Sequence, residues 1–371
     1  MTKLPGKQMK QKDVILDIRD LRLDFRTYRG RVKALNGVYL NLYKGEVLGL
    51  VGESGCGKSV TALTVIRLLP ENAEILGGQI LLNGENLLEK STSQIRTIRA
   101  KEIASVFQDP MTFLNPVLTI RTQLGETFKL NTDAIKQAAA VQRNKSKNMT
   151  YLDFLSLKEQ TPSRSPSIDK VSRAEIKKTV KALCADVLRI VKLPDPERIL
   201  GEYPFELSGG MRQRCMIAMA LARRPSVFIA DEITTAVDVT IQAQILHLMR
   251  ELRDVIEAST LMITHDLSVA AEIANRVAVM YGGNTVEIAS TRKIFKEPLH
   301  PYTQMLMRAI PDITKSVKRL ASIPGIVPDL IDPPSGCRFH PRCPSVMPVC
   351  KGDFPSLKEV SKDHKVACYL Y

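Results

Sequence analysis

Over residues 14–25, and again over 38–42, apolar and charged residues alternate loosely, the period-two pattern of half-exposed antiparallel strands. The run Val47–Val51 is different. It is apolar without interruption, as a strand buried on both faces must be, and it leads through a glycine-rich turn into a helical stretch over 59–69. Similar short apolar runs at 103–107, 227–230, 261–264 and 277–281 predict further strands. Helical patterns over 210–223, 240–257 and 267–275 lie between several of them, so the expected core is α/β with parallel strands.

Two regions break this rhythm. Residues 131–180 are rich in Ser, Thr, Lys and Arg and include the turn-prone TPSRSPS at 161–167, which reads as an insertion, partly helical and partly a mobile, solvated face. Its sharper reading is a patch that attracts anionic lipid headgroups. From His300, in HPYTQ, the chain becomes rich in proline and irregular, a tail that needs a local cross-link to hold its shape.

Length and composition narrow the class. At 371 residues the chain suits one elaborated domain or two, and 44% hydrophobic with 25% charged residues excludes a wholly disordered or collagen-like chain. No window approaches the ~18 apolar residues of a membrane span, and the start is polar, so a cytoplasmic protein is expected. The net charge of +14 invites a nucleic-acid partner, yet residues 1–12 carry +4 of it and residues 129–182 carry +7. The remaining body is nearly neutral, and no nucleic acid is expected.

The segment GESGCGKS, residues 52–59, fits G-x-x-x-x-G-K-[ST] in the right setting, after a buried strand and before a helix. Gly52, Ser54, Gly55, Cys56, Gly57 and Val60 belong to a loop and helix start whose N–H groups would face the phosphates of ATP. Lys58 would neutralise β and γ oxygens, and Ser59 would ligate Mg²⁺. Asp231 and Glu232 follow the apolar run 227–230, at the strand end where α/β sheets bind ligands: Asp231 would hold Mg²⁺ and Glu232 would polarise the attacking water. Such a pair alone is often a solvated turn; the phosphate loop upstream gives it weight.

LSGGMRQR, residues 207–214, matches the signature of ATP-binding cassette (ABC) ATPases, and around it stand Gln108 in FQDP, TTAVD ending at Asp238, and His265 in ITHD. Over residues 14–290 the chain resembles that family. The resemblance implies an α/β, ABC-type nucleotide-binding domain: a RecA-like parallel-sheet core, an antiparallel β subdomain and a helical subdomain at about 109–225. It also implies a dimer of cassettes, each ATP held between one chain's phosphate loop and the partner's Ser208, Gly209 and Gly210 at a helix N-terminus. Gln108 resembles the residue that senses Mg²⁺ and water, His265 the switch histidine, and Asp238 lies in the adjoining loop. Tyr28 resembles the aromatic that stacks on adenine, with Tyr39 a poorer candidate. Ile233 departs from the Pro usual after the catalytic Glu, and Val237 from the usual Leu, but the ionic groups are all present and hydrolysis is expected.

Cys337, Cys343, Cys350 and Cys368 crowd the tail, which in a reducing compartment points to metal before disulfide. Spacing alone leaves zinc and an iron-sulfur cluster open, and His340 offers zinc a fifth donor. VGESGCGKS, FQDPMTFLNP, HPYTQ and GCRFHPRCP narrow the resemblance to the dipeptide and oligopeptide importer ATPases, which implies a [4Fe-4S] cluster on the four cysteines, with zinc the alternative. The expected division is a cassette over 1–299 and a Cys-rich C-terminal extension over 300–371. The expected partners are a second, non-identical ABC ATPase subunit, two transmembrane permease subunits and, indirectly, an extracellular peptide-binding protein, with this chain peripheral on the cytoplasmic face of the membrane. Sister systems for nickel or oligosaccharide, an inactive regulatory cassette, and a soluble ABC ATPase acting on nucleic acid or ribosomes are the rival readings.

Overall fold

The computed structural model describes residues 13–107, 113–130, 132–143, 150–156, 171–233, 238–256, 258–309 and 323–371. It divides into two compact units: one takes in the described residues up to Lys90, Ser259–Leu261 and those from His265 onward, the other Ser91–Ala258 and Met262–Thr264.

The first unit opens with β1 (Val14–Thr27) and β2 (Gly30–Tyr43), an antiparallel pair as the alternation predicts. Leu16 faces Leu42, Ile18 faces Leu40 and Leu23 faces Leu35, and all six are buried, so the apolar positions fix the register. β3 (Val47–Val51) is buried at every residue and is followed by α1 (Lys58–Val65). β4 (Ala73–Leu82) pairs with the other side of β1, and the short β5 (Glu85–Asn86) closes this antiparallel sheet.

The second unit begins at α2 (Thr92–Lys101), started by a capping box of Ser91 and Gln94, and continues into β6 (Ile103–Val106). A helical stretch follows: α3 (Ile120–Lys129), α4 (Thr132–Arg143), α5 (Tyr151–Ser156), α6 (Arg173–Ile190), α7 (Pro196–Ile199) and α8 (Gly209–Ala222). Then come β7 (Val227–Asp231), parallel to β6, and α9 (Val239–Ile256). The described part of the basic insertion is more than a solvated face. Tyr151 and Phe154 are fully buried, with ring centroids 6.3 and 5.8 Å from Phe128, and the Tyr151 hydroxyl donates to the carbonyl of Leu221. Residues 144–149 and 157–170 of the insertion lie outside the described residues.

After β8 (Ser259–Thr264) come α10 (Leu267–Ile273), capped by Asp266, and β9 (Arg276–Tyr281), which runs parallel to β3 with Leu50 opposite Ala278. β10 (Asn284–Ser290) turns back antiparallel to β9, and α11 (Thr291–Lys296) and α12 (Pro301–Arg308) follow. The chain ends with β11 (Lys358–Ser361) and β12 (His364–Val366), and β12 adds to the free side of β10. Residues beyond 299 share this unit's core: Tyr302, Cys337, Phe339 and Cys350 are buried in one hydrophobic cluster with Val51, Val279 and Tyr281.

Candidate functional site

The phosphate loop leaves β3 at Gly52 and enters α1 at Lys58, with Gly57 in a left-handed conformation at the helix N-cap. Two of its glycines are required by their neighbours. A Cβ on Gly52 would sit 2.2 Å from the carbonyl oxygen of Met280, and one on Gly57 2.8 Å from Leu35, at φ of 154° and 101° respectively. The loop is tied to the β9–β10 turn by a bond from the Gly283 N–H to the Cys56 carbonyl. Lys58 is buried, its ammonium donating to the carbonyls of Gly52 at 2.9 Å and Glu53 at 3.0 Å. Burial pushes the Cys56 thiol up, against the opposing pull of Lys58, and this keeps the thiol neutral. Ser54, Gly55 and Ser59 are exposed and Val60 half-buried.

Residues outside the motif hold this loop, and sequence reading missed them. Arg342 forks onto the Glu53 carboxylate at 2.7 and 3.0 Å, and the hydroxyl of Tyr302 accepts the Glu53 N–H at 2.9 Å. HPYTQ was the available signal for Tyr302. His300 caps α12, its Nδ1 accepting from the Tyr302 N–H at 3.0 Å, and burial depresses its pKa to about 4, so the ring is neutral and able to accept. Glu287 on β10 takes the N–H groups of Leu299 and His300 at 2.8 and 2.9 Å and meets His364 Nε2 at 2.7 Å.

The other predicted groups of the first unit are His265, exposed just before α10, and Tyr28, 98% exposed in the β1–β2 turn. Tyr39 is engaged elsewhere: its phenol is raised by burial and by Asp20, to which it is hydrogen-bonded. In the second unit Asp231 ends β7 and is buried, while Glu232 follows at φ 50°, a left-handed conformation uncommon for a side chain and held by its N–H bond to Ile263 at 2.9 Å. Ile233, the departure from Pro, is buried. Ser208 caps α8 by accepting from the Met211 N–H at 3.4 Å, with Gly209 and Gly210 in its first turn, and Asp238 accepts the Ile241 N–H at the start of α9. Gln108 and residues 234–237 lie outside the described residues.

The four tail cysteines line one small cavity together with His300, Phe339 and His340. Burial raises Cys337 to about 11, with Cys368, Cys350 and Cys343 adding to the shift, and Cys343 and Cys368 are raised too. Soft donors are therefore gathered, as thiols that a metal would have to deprotonate. Among the described residues, however, no three Cys, His, Asp or Glu side chains are arranged to hold a metal ion.

A glycine loop between a parallel strand and a helix, with acids ending another strand and a second glycine-bearing helix start, defines a P-loop ATPase of the cassette type. Residues 35–235 match the ABC transporter family, and residues 286–350 match the oligopeptide/dipeptide transporter C-terminal region. A probable peptide ABC transporter ATP-binding protein of Sinorhizobium fredii is 45% identical over 96% of this chain and 95% of its own length. The dipeptide transport ATP-binding protein DppD of Bacillus subtilis is 42% identical over 96% and 94%. A solved dimeric bacterial ABC transporter cassette shares the fold at TM-score 0.54 and 23% identity, covering 75% of this chain and 99% of that one. This chain belongs to the ABC transporter family, in its oligopeptide and dipeptide branch, and is an ATPase of the ABC type.

Proposed function

We propose that this chain is one of two ATP-binding subunits, commonly non-identical, that power import of dipeptides or oligopeptides through two transmembrane permease subunits supplied by an extracellular peptide-binding protein. The observation that carries this is the joining, in one chain, of the cassette match and the peptide-transporter C-terminal match, with peptide-transport relatives covering 96% of the length. Among the described residues no helix is long and apolar enough to cross a membrane. In this reading the chain works as a peripheral subunit on the cytoplasmic face, docked on the permease subunits.

In this reading the N–H groups of residues 54–60 and the Lys58 ammonium bind the β and γ phosphates, and Tyr28 stacks on adenine. Mg²⁺ bound with ATP neutralises phosphate charge, and Ser59, Asp231 and Gln108 would hold it. Glu232 orients the attacking water and accepts its proton, His265 and Asp238 position that carboxylate and the γ-phosphate, and Ser208, Gly209 and Gly210 face the partner's nucleotide. Phosphoryl transfer depends on such positioning and charge more than on covalent chemistry. Cys337, Cys343, Cys350 and Cys368 would hold a [4Fe-4S] cluster that cross-links a segment with little regular structure; their shared cavity and soft thiol chemistry support this.

Reconstituted in vesicles with the proposed permease, second ATPase and peptide-binding subunits, the wild-type complex is expected to accumulate labelled peptide with ATP. Glu232→Gln should bind ATP normally, lose hydrolysis by at least about 100-fold and trap the closed dimer. Transport of nickel or an oligosaccharide in place of peptide overturns the substrate, and wild-type turnover by Glu232→Gln removes that residue from the chemistry. Protein purified without oxygen should carry iron and sulfide; colourless, zinc-loaded protein overturns the cluster.

A further inference from the structure

Every polar group of Glu53 is committed. Its N–H goes to the buried hydroxyl of Tyr302 at 2.9 Å, its carbonyl receives the Lys58 ammonium at 3.0 Å, and its carboxylate receives two nitrogens of Arg342 at 2.7 and 3.0 Å. Arg342 is itself fixed. Its side chain is 5% exposed, Nε donates to the Pro324 carbonyl at 2.9 Å, Nη1 also reaches the Tyr281 hydroxyl at 3.2 Å and Nη2 the Ile323 carbonyl at 3.3 Å. A guanidinium keeps its charge throughout the working pH range, so the pairing is permanent. Tyr302, Tyr281 and Phe339 pack against one another in tilted and edge-on contacts with centroids 4.6 to 5.3 Å apart, which leaves the Tyr302 hydroxyl little freedom to swing away.

A carboxylate at the second position of a phosphate loop is an electrostatic liability, because it adds a negative charge where a triphosphate must settle. A fully paired carboxylate is not, since a bidentate guanidinium cancels its charge and fixes its direction. We propose that Arg342 and Tyr302 are positioning residues for the ATP site. Arg342 neutralises and aims Glu53, Tyr302 pins its peptide, and the tail segment that carries Cys343 thereby sets the affinity of the phosphate loop for nucleotide. This positioning role belongs to the family's shared ATPase step and is independent of which solute is carried and of what the cysteines bind.

The two contacts act differently, and the difference provides the test. Mg-ATP and Mg-ADP binding is measured on the full chain, with metal content and melting temperature determined for each variant. Arg342→Gln unmasks the Glu53 charge, so it should weaken ATP about tenfold, equivalent to ~1.4 kcal/mol, and ADP less, with the loss shrinking at high salt. Adding Glu53→Gln to it should recover most of the ATP affinity. Tyr302→Phe removes only the acceptor and should weaken ATP and ADP alike. A residue that merely anchors the tail would lower the melting temperature without separating ATP from ADP and without rescue by Glu53→Gln, and that result overturns the proposal. Should Arg342→Gln fail to fold, Arg342→Lys, which keeps the charge and loses the fork, is expected to show a smaller ATP deficit that Glu53→Gln again relieves; wild-type ATP affinity in folded Arg342→Lys, unaltered by Glu53→Gln, overturns it equally.

Discussion

Two helices of this protein start on glycine-bearing turns, α1 after the phosphate loop and α8 after Ser208, and their surroundings differ. At the first, Gly52 and Gly57 are hemmed in by the chain itself, by the Met280 carbonyl and Leu35. At the second, a side chain on Gly209 would meet nothing within 4 Å among the described residues, while one on Gly210 would press on Ile241 at 3.0 Å. Glycine in the phosphate loop is thus demanded by the positive φ of Gly52 and Gly57 and by neighbours on β9 and β2. At Gly209 no neighbour among the described residues demands it, and on the proposed reading the space answers to a triphosphate brought by another subunit.

Substitutions can break this contrast. The largest effect belongs to Gly52→Ala: with a Cβ 2.2 Å from a backbone carbonyl, the loop must shift, and calorimetry should find no measurable ATP binding together with a lowered melting temperature. Gly209→Glu should leave melting and ATP binding by the chain's own loop unchanged while turnover falls by about 100-fold or more, because a carboxylate then faces the trans phosphates. Normal turnover by Gly209→Glu would show that the open face meets no nucleotide. Gly210→Ala should cost roughly 1–3 kcal/mol by denaturant titration, with Ile241→Val in the same chain recovering part of it. Ser208→Ala comes last, at about 1 kcal/mol for the lost helix cap, and a larger loss in turnover than in stability would separate its trans role from capping.

How much of this was legible in the sequence depended on continuity along the chain. The phosphate loop, the β7 acids and the α8 cap are contiguous motifs flanked by apolar runs of the right length, and each lies where its pattern predicts. The Glu53–Arg342 pair joins residues 289 apart, and nothing in local spacing brings them together. Composition also misled: abundant lysine and serine in the basic insertion concealed Tyr151 and Phe154, whose three-residue spacing places both on a buried helix face beside Phe128. In the tail, proline suggested irregularity and hid the short β12, a three-residue strand defined by its pairing with β10 and β11.

That last pairing bears on any attempt to trim the protein to a minimal cassette. Ending the chain after α12 would strip β12 from residues 287–289 of β10 and leave the backbone donors and acceptors there open along a bare edge. Such a fragment should self-associate and precipitate even with its nucleotide loop sequence intact, so insolubility of a shortened chain would speak about an uncovered seam rather than about catalysis.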